Sequence, residues 1–435
     1  MTRPSRVSCP IDLETPGKRL GHLRVPHSSN RSAYGWIGVP IGVIVGGEGP
    51  TVYLGGGNHG DEYEGPITLL RLFQELEPER VRGRLIVLPM TNLPAVLAGQ
   101  RCSPIDGANL NRMFVGDPGL DHEPTKAIAH FVEEVLLPRC DAAIDLHSGG
   151  RTLDYVPSAL ARTGPDDPLR ERKLAALRAF GAPVSYLVPP VGNADGILAA
   201  ADRKGVLALG TELGGAGTVT PTTLAVARRG VLGFLAHLGV LDGVPEPGPT
   251  RLLEVRPEHY VWAPRAGLFE PAVVQGAEVE AGAVAGWLFD PDEPERAPLE
   301  VRFEAAGLML CRRPIPMVER GDCLFHLGAD VAARAAEAAL GARGRPVGRV
   351  SASAPPGRSP DGTRVRSIAA PRAARRRSRR SRRGREPARS RGPGPRARRS
   401  AAPGFRARAG PAFRRAVGRL RDRPCPGSHA ARHRD

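Results

Sequence analysis

Hydrophobic and polar positions follow two different periods along the first 240 residues. Short runs rich in β-branched residues are typical of buried strands. Apolar residues that recur about every three or four positions are typical of helices packed on a core. The first pattern predicts strands at 39–45, 51–56, 84–90, 142–147, 184–188 and 206–213, and the second predicts helices at 67–76, 124–137, 169–180 and 222–240. This alternation predicts an α/β fold with a mixed, largely parallel sheet that carries helices on both faces.

The pattern changes after residue 245. The Pro/Gly-rich stretch 242–250 indicates a linker. Residues 250–330 contain short strands, glycine turns and no helical period, which predicts a small all-β domain of the barrel-sandwich kind. Part of it resembles half of a biotinyl/lipoyl-type domain, but residues 258–330 contain no lysine that could carry a cofactor. We therefore expect two folded domains, 1–245 and 250–330.

Charge is distributed very unevenly along the 435 residues. The net charge of +17 would favour a nucleic-acid partner if it lay on a folded domain. Residues 341–435, however, contain 29 Arg and 4 acidic residues, a net charge of +25, whereas residues 1–340 carry −8. A mildly acidic body argues against a basic, nucleic-acid-binding fold.

The Arg/Pro/Ala-rich segment 332–435 is predicted to be a disordered tail, because it contains too few apolar residues to form a core. Arg-rich segments bind phosphate backbones, so non-specific nucleic-acid binding through the tail is an alternative function. Phe405 and Phe413 are its only aromatic residues, which weakens a specific single-strand interpretation. A shifted reading frame of GC-rich DNA gives the same composition, and we favour that interpretation over a functional tail.

The sequence offers no sign of export or of a membrane segment. The N-terminal stretch lacks the apolar region of a secretory signal, and no apolar run is long enough to span a bilayer. The six cysteines form no CxxC pair, which indicates neither a disulfide framework nor a cysteine zinc site. A cytoplasmic protein with no membrane partner is expected.

The most informative polar residues follow predicted strands and are framed by glycines. His59 and Glu62 form an H-x-x-E pair in the loop 55–65, and an imidazole nitrogen and a carboxylate oxygen at this spacing can reach one ion. An H-x-x-E pair alone is only weak evidence for a metal site. His147, at the end of the strand 142–147, supplies a third ligand, and the combination predicts a catalytic metal site. Asp145 lies on the same face of that strand and is expected to orient a ligand.

Two further clusters supply groups for binding and proton transfer. Asn111 and Arg112, in the loop 106–114, form a pair that can hold a substrate carboxylate, and Arg101 is a second candidate. Glu212 ends a strand within GTELGG and is a candidate general base. Taken singly, each arginine could instead form a surface salt bridge, and Glu212 could be a solvated strand end.

The motifs GGNHGDEYEG, NLNR, DLHSGG and TELGG, in this order, resemble the succinylglutamate desuccinylase/aspartoacylase family. This family belongs to the zinc carboxypeptidase-like amidohydrolases, and the resemblance covers roughly residues 10–330. It implies one Zn²⁺ per chain, held by His59, Glu62 and His147. It also implies that Asn111 and Arg112 bind the substrate carboxylate and that Glu212 is the general base. The family's further arginine, a few residues before the N-R pair, has no aligned counterpart here, and Arg101 is the nearest substitute for stabilising the oxyanion.

The resemblance implies hydrolysis of the amide bond of a small N-acyl amino acid, with the β module narrowing access to the site. The forms NHGDEYEGP and GTELGG are most similar to the subgroup that deacetylates Nα-acetyl-L-2,4-diaminobutyrate in ectoine breakdown. Alternatives are a succinylglutamate desuccinylase or aspartoacylase activity, or a zinc carboxypeptidase that cleaves peptides. Whether the chain forms a homo-oligomer is left open.

Overall fold

The computed structural model describes residues 4–114, 118, 122–190 and 194–331. The predicted disordered tail, 332–435, lies outside these residues. The strands are β1 (Gly17–Pro26), β2 (Trp36–Val45), β3 (Thr51–Gly56), β4 (Arg84–Leu88), β5 (Ala142–Leu146), β6 (Asp154–Tyr155), β7 (Ser158–Arg162), β8 (Val184–Val188), β9 (Leu207–Glu212), β10 (Arg251–Glu254), β11 (Tyr260–Trp262), β12 (Gly267–Pro271), β13 (Glu278–Val279), β14 (Val284–Phe289), β15 (Leu299–Arg302), β16 (Gly307–Arg312), β17 (Met317–Val318) and β18 (Cys323–Asp330). The helices are α1 (Glu64–Glu75), α2 (Leu93–Ala98), α3 (Pro124–Phe131), α4 (Arg170–Phe180), α5 (Ile197–Arg203) and α6 (Pro221–His237).

A single large sheet runs through the described part of the chain. Its centre is parallel: β4, β3, β5 and β9 lie side by side in that order. On one side β2 and β1 add antiparallel strands, and on the other β7 pairs antiparallel with β9 and parallel with β8. The prediction of a mixed, largely parallel sheet is confirmed.

Helices cover both faces of this sheet, as the sequence predicted. One face packs against α1, α4 and α6, and the opposite face packs against α3 and α5. The residues of β3 and β5 are buried throughout, which explains why these strands consist mainly of apolar and small residues and do not alternate with exposed polar ones.

One predicted helix ends earlier than expected. The pattern at 124–137 predicts a continuous helix, but α3 ends at Phe131 and is followed by a π-helical turn (Val132–Leu136) and a 3₁₀ turn (Leu137–Arg139). Pro138 lies in this region, and it has no N–H to continue the α-helical hydrogen bonds. Regular helix therefore does not extend through the predicted C-terminal end.

The sheet also continues into the segment predicted to be a separate β domain. β10 pairs parallel with β8 and antiparallel with β18, and β16 and β13 extend the sheet further. A second, four-stranded sheet (β15, β14, β12, β17) packs around a core of its own that includes Phe269 and Phe303. β18 therefore connects this second core to the sheet that carries the polar motifs. Among the helices described, none is long and apolar enough to cross a membrane.

Gly230 of α6 provides a test of the helix layer. A Cβ atom at this position would lie 2.2 Å from the ring of Phe180 in α4, whose side chain is only 2 % exposed. We expect Gly230→Leu to lower the free energy of unfolding by about 1–3 kcal/mol through overpacking. Arg229→Leu, at an exposed neighbouring position, should change it by no more than about 0.5 kcal/mol. Urea denaturation measures both, and equal stability of the two variants would contradict the packing described here.

Candidate metal centre

Three neighbouring parallel strands bring the predicted site residues to one edge of the sheet. His59 follows β3, His147 directly follows β5, and Glu212 is the last residue of β9. Because β3, β5 and β9 are adjacent and parallel, their carboxyl ends lie together. The Oγ1 of Thr211 accepts a hydrogen bond from the backbone N of His147 at 2.9 Å and donates one to its carbonyl at 3.0 Å. These bonds fix His147 against the end of β9.

The glycines of the loop 55–65 allow it to fold tightly over α2. Gly57 has a φ of +62°, a left-handed conformation that favours glycine. A Cβ at Gly60 would lie 1.9 Å from the backbone carbon of Ala95, so a side chain there would collide with the backbone of α2. The loop is joined to the one after β5, because the Oδ2 of Asp61 accepts a hydrogen bond from the backbone N of Arg151 at 2.9 Å.

The two histidines meet on the carboxylate of Glu62. The Nδ1 of His59 lies 2.7 Å from Oε1 of Glu62, and the Nδ1 of His147 lies 2.9 Å from Oε2. One ligand atom from each of the three residues can be chosen so that all lie within 4.8 Å of one another. The backbone N of Ser148 also donates to Oε2 of Glu62, at 3.1 Å. The three residues predicted as metal ligands are therefore brought together.

The opposite nitrogens of both imidazole rings face oxygen atoms. The Nε2 of His59 lies 3.1 Å from Oδ1 of Asn109, and the Nε2 of His147 lies 2.6 Å from Oδ2 of Asp145. Asn58 donates from Nδ2 to the same Asp145 oxygen at 3.0 Å. Oxygen partners favour a proton on each Nε2, which directs both Nδ1 lone pairs at Glu62. Asp145 thus stands where the sequence predicted an orienting residue.

This arrangement of donors fits a divalent cation. Two lone pairs and a carboxylate that converge on one point repel each other unless a positive charge lies between them. Burial by itself raises the pKa of Glu62, but His59 and His147 hold that pKa well below its usual range. Burial by itself lowers the pKa of His147, but the carboxylates of Asp145 and Glu62 hold it well above its usual value. The site therefore stabilises positive charge between its donors, and two imidazoles with a carboxylate are ligands that suit zinc.

The arginine and asparagine candidates surround this centre. Nη1 of Arg101 lies 3.4 Å from Nδ1 of His59 and 3.5 Å from Oε1 of Glu62, and its side chain is half exposed. The Oδ1 of Asn111 accepts a hydrogen bond from the backbone N of Ile197 at 2.9 Å, which fixes the amide. Nη1 of Arg112 donates to the carbonyl of Asn111 at 2.7 Å. The segment that follows α2 therefore presents two arginines and a fixed amide.

All but one of the predicted site residues line a single cavity of about 280 Å³. These are His59, Glu62, Arg101, Asn111, Arg112, His147 and Glu212. Asp145 does not line the cavity, and it contacts His147 from the side away from Glu62. The structure thus joins four sequence-separated motifs into one site.

Glu212 has the surroundings of a group that exchanges protons. Its Oε2 is buried and has no hydrogen-bond partner among the described residues. Burial, together with the nearby Glu62 carboxylate, raises the pKa of Glu212 to about 8 in the cation-free chain. A carboxyl with a raised pKa close to a cavity is typical of a general base or acid.

Several residues of this site were not predicted from the sequence. Asn58 and Asn109 lie inside the motifs named above, one and two residues away from the predicted site residues His59 and Asn111. Four further cavity residues lie far apart in the sequence, on strands without a recognisable motif: Tyr155, Tyr186, Tyr260 and His326. Only the pairing of the strands brings these aromatic residues together.

Comparison with known proteins gives concordant matches. Residues 48–238 match the succinylglutamate desuccinylase/aspartoacylase catalytic domain. The chain is 41 % identical over 325 residues to the N-alpha-acetyl-L-2,4-diaminobutyric acid deacetylase of Halomonas elongata, a match that covers 74 % of this chain and 94 % of that protein.

Solved structures are similar over the same part of the chain. A succinylglutamate desuccinylase/aspartoacylase from Rhodobacter sphaeroides is 40 % identical, with a TM-score of 0.71, and the match covers 75 % of this chain and 99 % of that one. The product-bound ectoine utilization protein EutE from Ruegeria pomeroyi is 38 % identical, with a TM-score of 0.72, over 75 % of this chain and 100 % of that one.

Removal of one ligand tests the metal centre. We expect His147→Ala to lose most of its metal after dialysis, because the two remaining donors cannot complete the site. Asp145→Asn should bind zinc about 10–100-fold more weakly, since the outer partner of His147 is weakened. Elemental analysis and a competition titration with a chelator measure these effects, with the exposed His237→Ala as control. Stoichiometric zinc in His147→Ala would contradict the ligand set.

Proposed function

The chain belongs to the succinylglutamate desuccinylase/aspartoacylase family, and we propose that this amidohydrolase removes the acetyl group from Nα-acetyl-L-2,4-diaminobutyrate in a zinc-dependent reaction. The products would be L-2,4-diaminobutyrate and acetate, as in ectoine degradation. The relative from Halomonas elongata bears the name of this deacetylase, and the Ruegeria pomeroyi structure is that of an ectoine utilization protein. We propose a cytoplasmic location, as the sequence led us to expect.

The observation that carries this proposal is the presence, in one small cavity, of a His/Glu/His cluster and of Glu212, whose Oε2 is buried and has no partner among the described residues. His59, Glu62 and His147 would hold one zinc ion per chain. When bound, zinc acts as a Lewis acid that polarises a carbonyl group and lowers the pKa of water. The remaining steps depend on residues of the chain itself.

The polar residues around the cavity would bind the substrate. Arg112 and the amide of Asn111 would hold the α-carboxylate of the amino acid, with the amide fixed by its bond to the Ile197 backbone. Arg101, next to Glu62, would stabilise the negative charge that develops on the carbonyl oxygen. The scissile amide would then lie between Arg101 and Glu212.

Glu212 would move the proton. As water attacks the carbonyl carbon, the Glu212 carboxylate accepts a proton from it, and a C–O bond forms. Glu212 then donates that proton to the amide nitrogen, the C–N bond breaks, and acetate and the free amine leave. The raised pKa of this carboxyl suits it to hold the proton between the two steps.

A peptide-cleaving carboxypeptidase remains the nearest alternative, because it uses the same metal chemistry and also binds a carboxylate. A cavity of about 280 Å³ suits a small acyl amino acid better than a polypeptide. Desuccinylation of succinylglutamate and deacetylation of acetyl-aspartate are alternatives with different side chains and acyl groups.

A substrate screen tests the reaction. We expect acetate release from Nα-acetyl-L-2,4-diaminobutyrate to exceed product release from acetyl-aspartate, succinylglutamate or dipeptides. A chelator should abolish the activity, and added zinc should restore it. Faster cleavage of dipeptides than of any acylated amino acid would replace the proposal with the carboxypeptidase alternative.

Glu212→Gln tests the proton carrier separately. The amide keeps the size of the side chain but cannot accept the proton, so turnover should fall about 10²–10⁴-fold. Zinc content and unfolding temperature should stay close to those of the unaltered protein. Glu270→Gln, at an exposed position of β12, serves as the matched control. Near-normal turnover in Glu212→Gln would show that another group carries the proton.

A further inference from the structure

Four aromatic side chains form one wall of the cavity, and none has a role in the proton transfer described above. Tyr155, Tyr186 and Tyr260 surround His326, and we call these three tyrosines the tyrosine cage. The ring of Tyr260 stacks on the imidazole with centroids 4.4 Å apart, and Tyr155 and Tyr186 stand edge-on at 5.9 and 5.8 Å. All four residues line the cavity that contains Glu212.

The register of the sheet builds the cage. On β18, His326 is paired with Tyr260 of β11 on one side and with Cys311 of β16 on the other. Cys311 is in turn paired with Tyr155 of β6. Residues that lie directly opposite each other on paired strands point to the same face of a sheet. The cage is therefore fixed by paired strands, with Tyr260 and His326 on β11 and β18 and the other two tyrosines on β6 and β8.

The imidazole in this cage is buried and lacks a hydrogen-bond partner. His326 is only 3 % exposed, and neither Nδ1 nor Nε2 has a partner among the residues that the structure describes. An unpaired polar group of this kind costs free energy unless a ligand or water completes it. A purely apolar occupant, such as an acyl methyl group, would leave both nitrogens unpaired.

The cage is electrically neutral and lies next to Glu212. Burial, with a smaller effect of His259, lowers the pKa of His326 to about 3, so the imidazole is uncharged at neutral pH. Burial also raises the pKa of all three tyrosines, and the Glu212 carboxylate adds to this effect, which places Glu212 close to the cage.

The groups of the cage therefore favour a cation over an anion. Arg162 lines the same cavity, but its guanidinium is paired with Asp202. An anionic side chain would thus meet a neutral imidazole and neutral phenols. An ammonium group instead gains the π-faces of the rings and a lone pair of the imidazole.

We propose that His326 and the tyrosine cage bind the side-chain ammonium group of the substrate and so select N-acylated diamino acids over those with apolar or acidic side chains. The α-carboxylate on Asn111 and Arg112 and the ammonium in the cage would orient the amide between them. This inference rests on the proposed function for its substrate class.

The test compares two amino acids that have the same shape and differ in charge. The side chain of L-2,4-diaminobutyrate ends in an ammonium group, and the side chain of L-norvaline has the same length but ends in a methyl group. Calorimetric titration should show that the protein binds diaminobutyrate at least about tenfold more tightly than norvaline. The kcat/KM values for their Nα-acetyl derivatives should show the same preference, expressed mainly in KM.

Substitutions in the cage should reduce this preference. His326→Phe keeps the stack on Tyr260 but removes both nitrogens, and the ratio of the two affinities should fall toward one. His326→Gln keeps a hydrogen-bond acceptor and should retain part of the preference. If His326→Phe does not fold, His326→Gln still tests the role of the imidazole nitrogens. Tyr34→Leu, at a side chain that is 98 % exposed and outside the cavity, should leave the ratio unchanged.

Several outcomes would overturn the inference. One is equal binding of the two amino acids by the unaltered protein, and another is an unchanged ratio in both His326 variants. A third is a shift in the preference for acetyl over propionyl substrates with no change in side-chain preference, which would assign the cage to the acyl group. If the proposed function is wrong but the cage binds an ammonium group, diaminobutyrate will still bind through His326 while no acetate is released.

Discussion

The site depends on a carboxylate that is buried between two imidazoles. Glu62 is almost fully buried, and a histidine lies against each of its two carboxylate oxygens. The Nε2 atoms of these histidines face Asn109 and Asp145. Such a carboxylate is costly to bury unless positive charge lies against it. A cation held by His59, Glu62 and His147, as we propose, would supply that charge, and the surrounding polar contacts place the three side chains to receive it.

The fold satisfies this constraint through the parallel order of its central strands. β3, β5 and β9 end at the same edge, so three motifs far apart in sequence converge without long loops. β11 and β18 then add Tyr260 and His326 to the cavity, next to Tyr155 of β6 and Tyr186 of β8, because β10 and β18 extend the same sheet. One continuous sheet therefore positions both the candidate metal ligands and the residues to which we assign substrate selection.

The sequence predicted the central strands well because they are buried on both faces, so that β3 and β5 consist mainly of apolar and small residues. β1 was not predicted, because outward-facing polar residues interrupt its apolar pattern, and α5 was not predicted, because its 7 residues contain too few turns to show a period. The candidate metal ligands His59, Glu62 and His147 could be proposed from the sequence because glycines and local spacing mark them. His326 and its tyrosines were not, because only strand register, which depends on tertiary pairing, brings them together.

We propose that one zinc ion lies among His59, Glu62 and His147. An anomalous difference map, recorded at the zinc edge from crystals of the protein purified with its metal, tests this directly. We expect one strong peak about 2.0–2.2 Å from Nδ1 of both histidines and from a carboxylate oxygen of Glu62. A peak elsewhere, or ligation through either Nε2 atom, would contradict it.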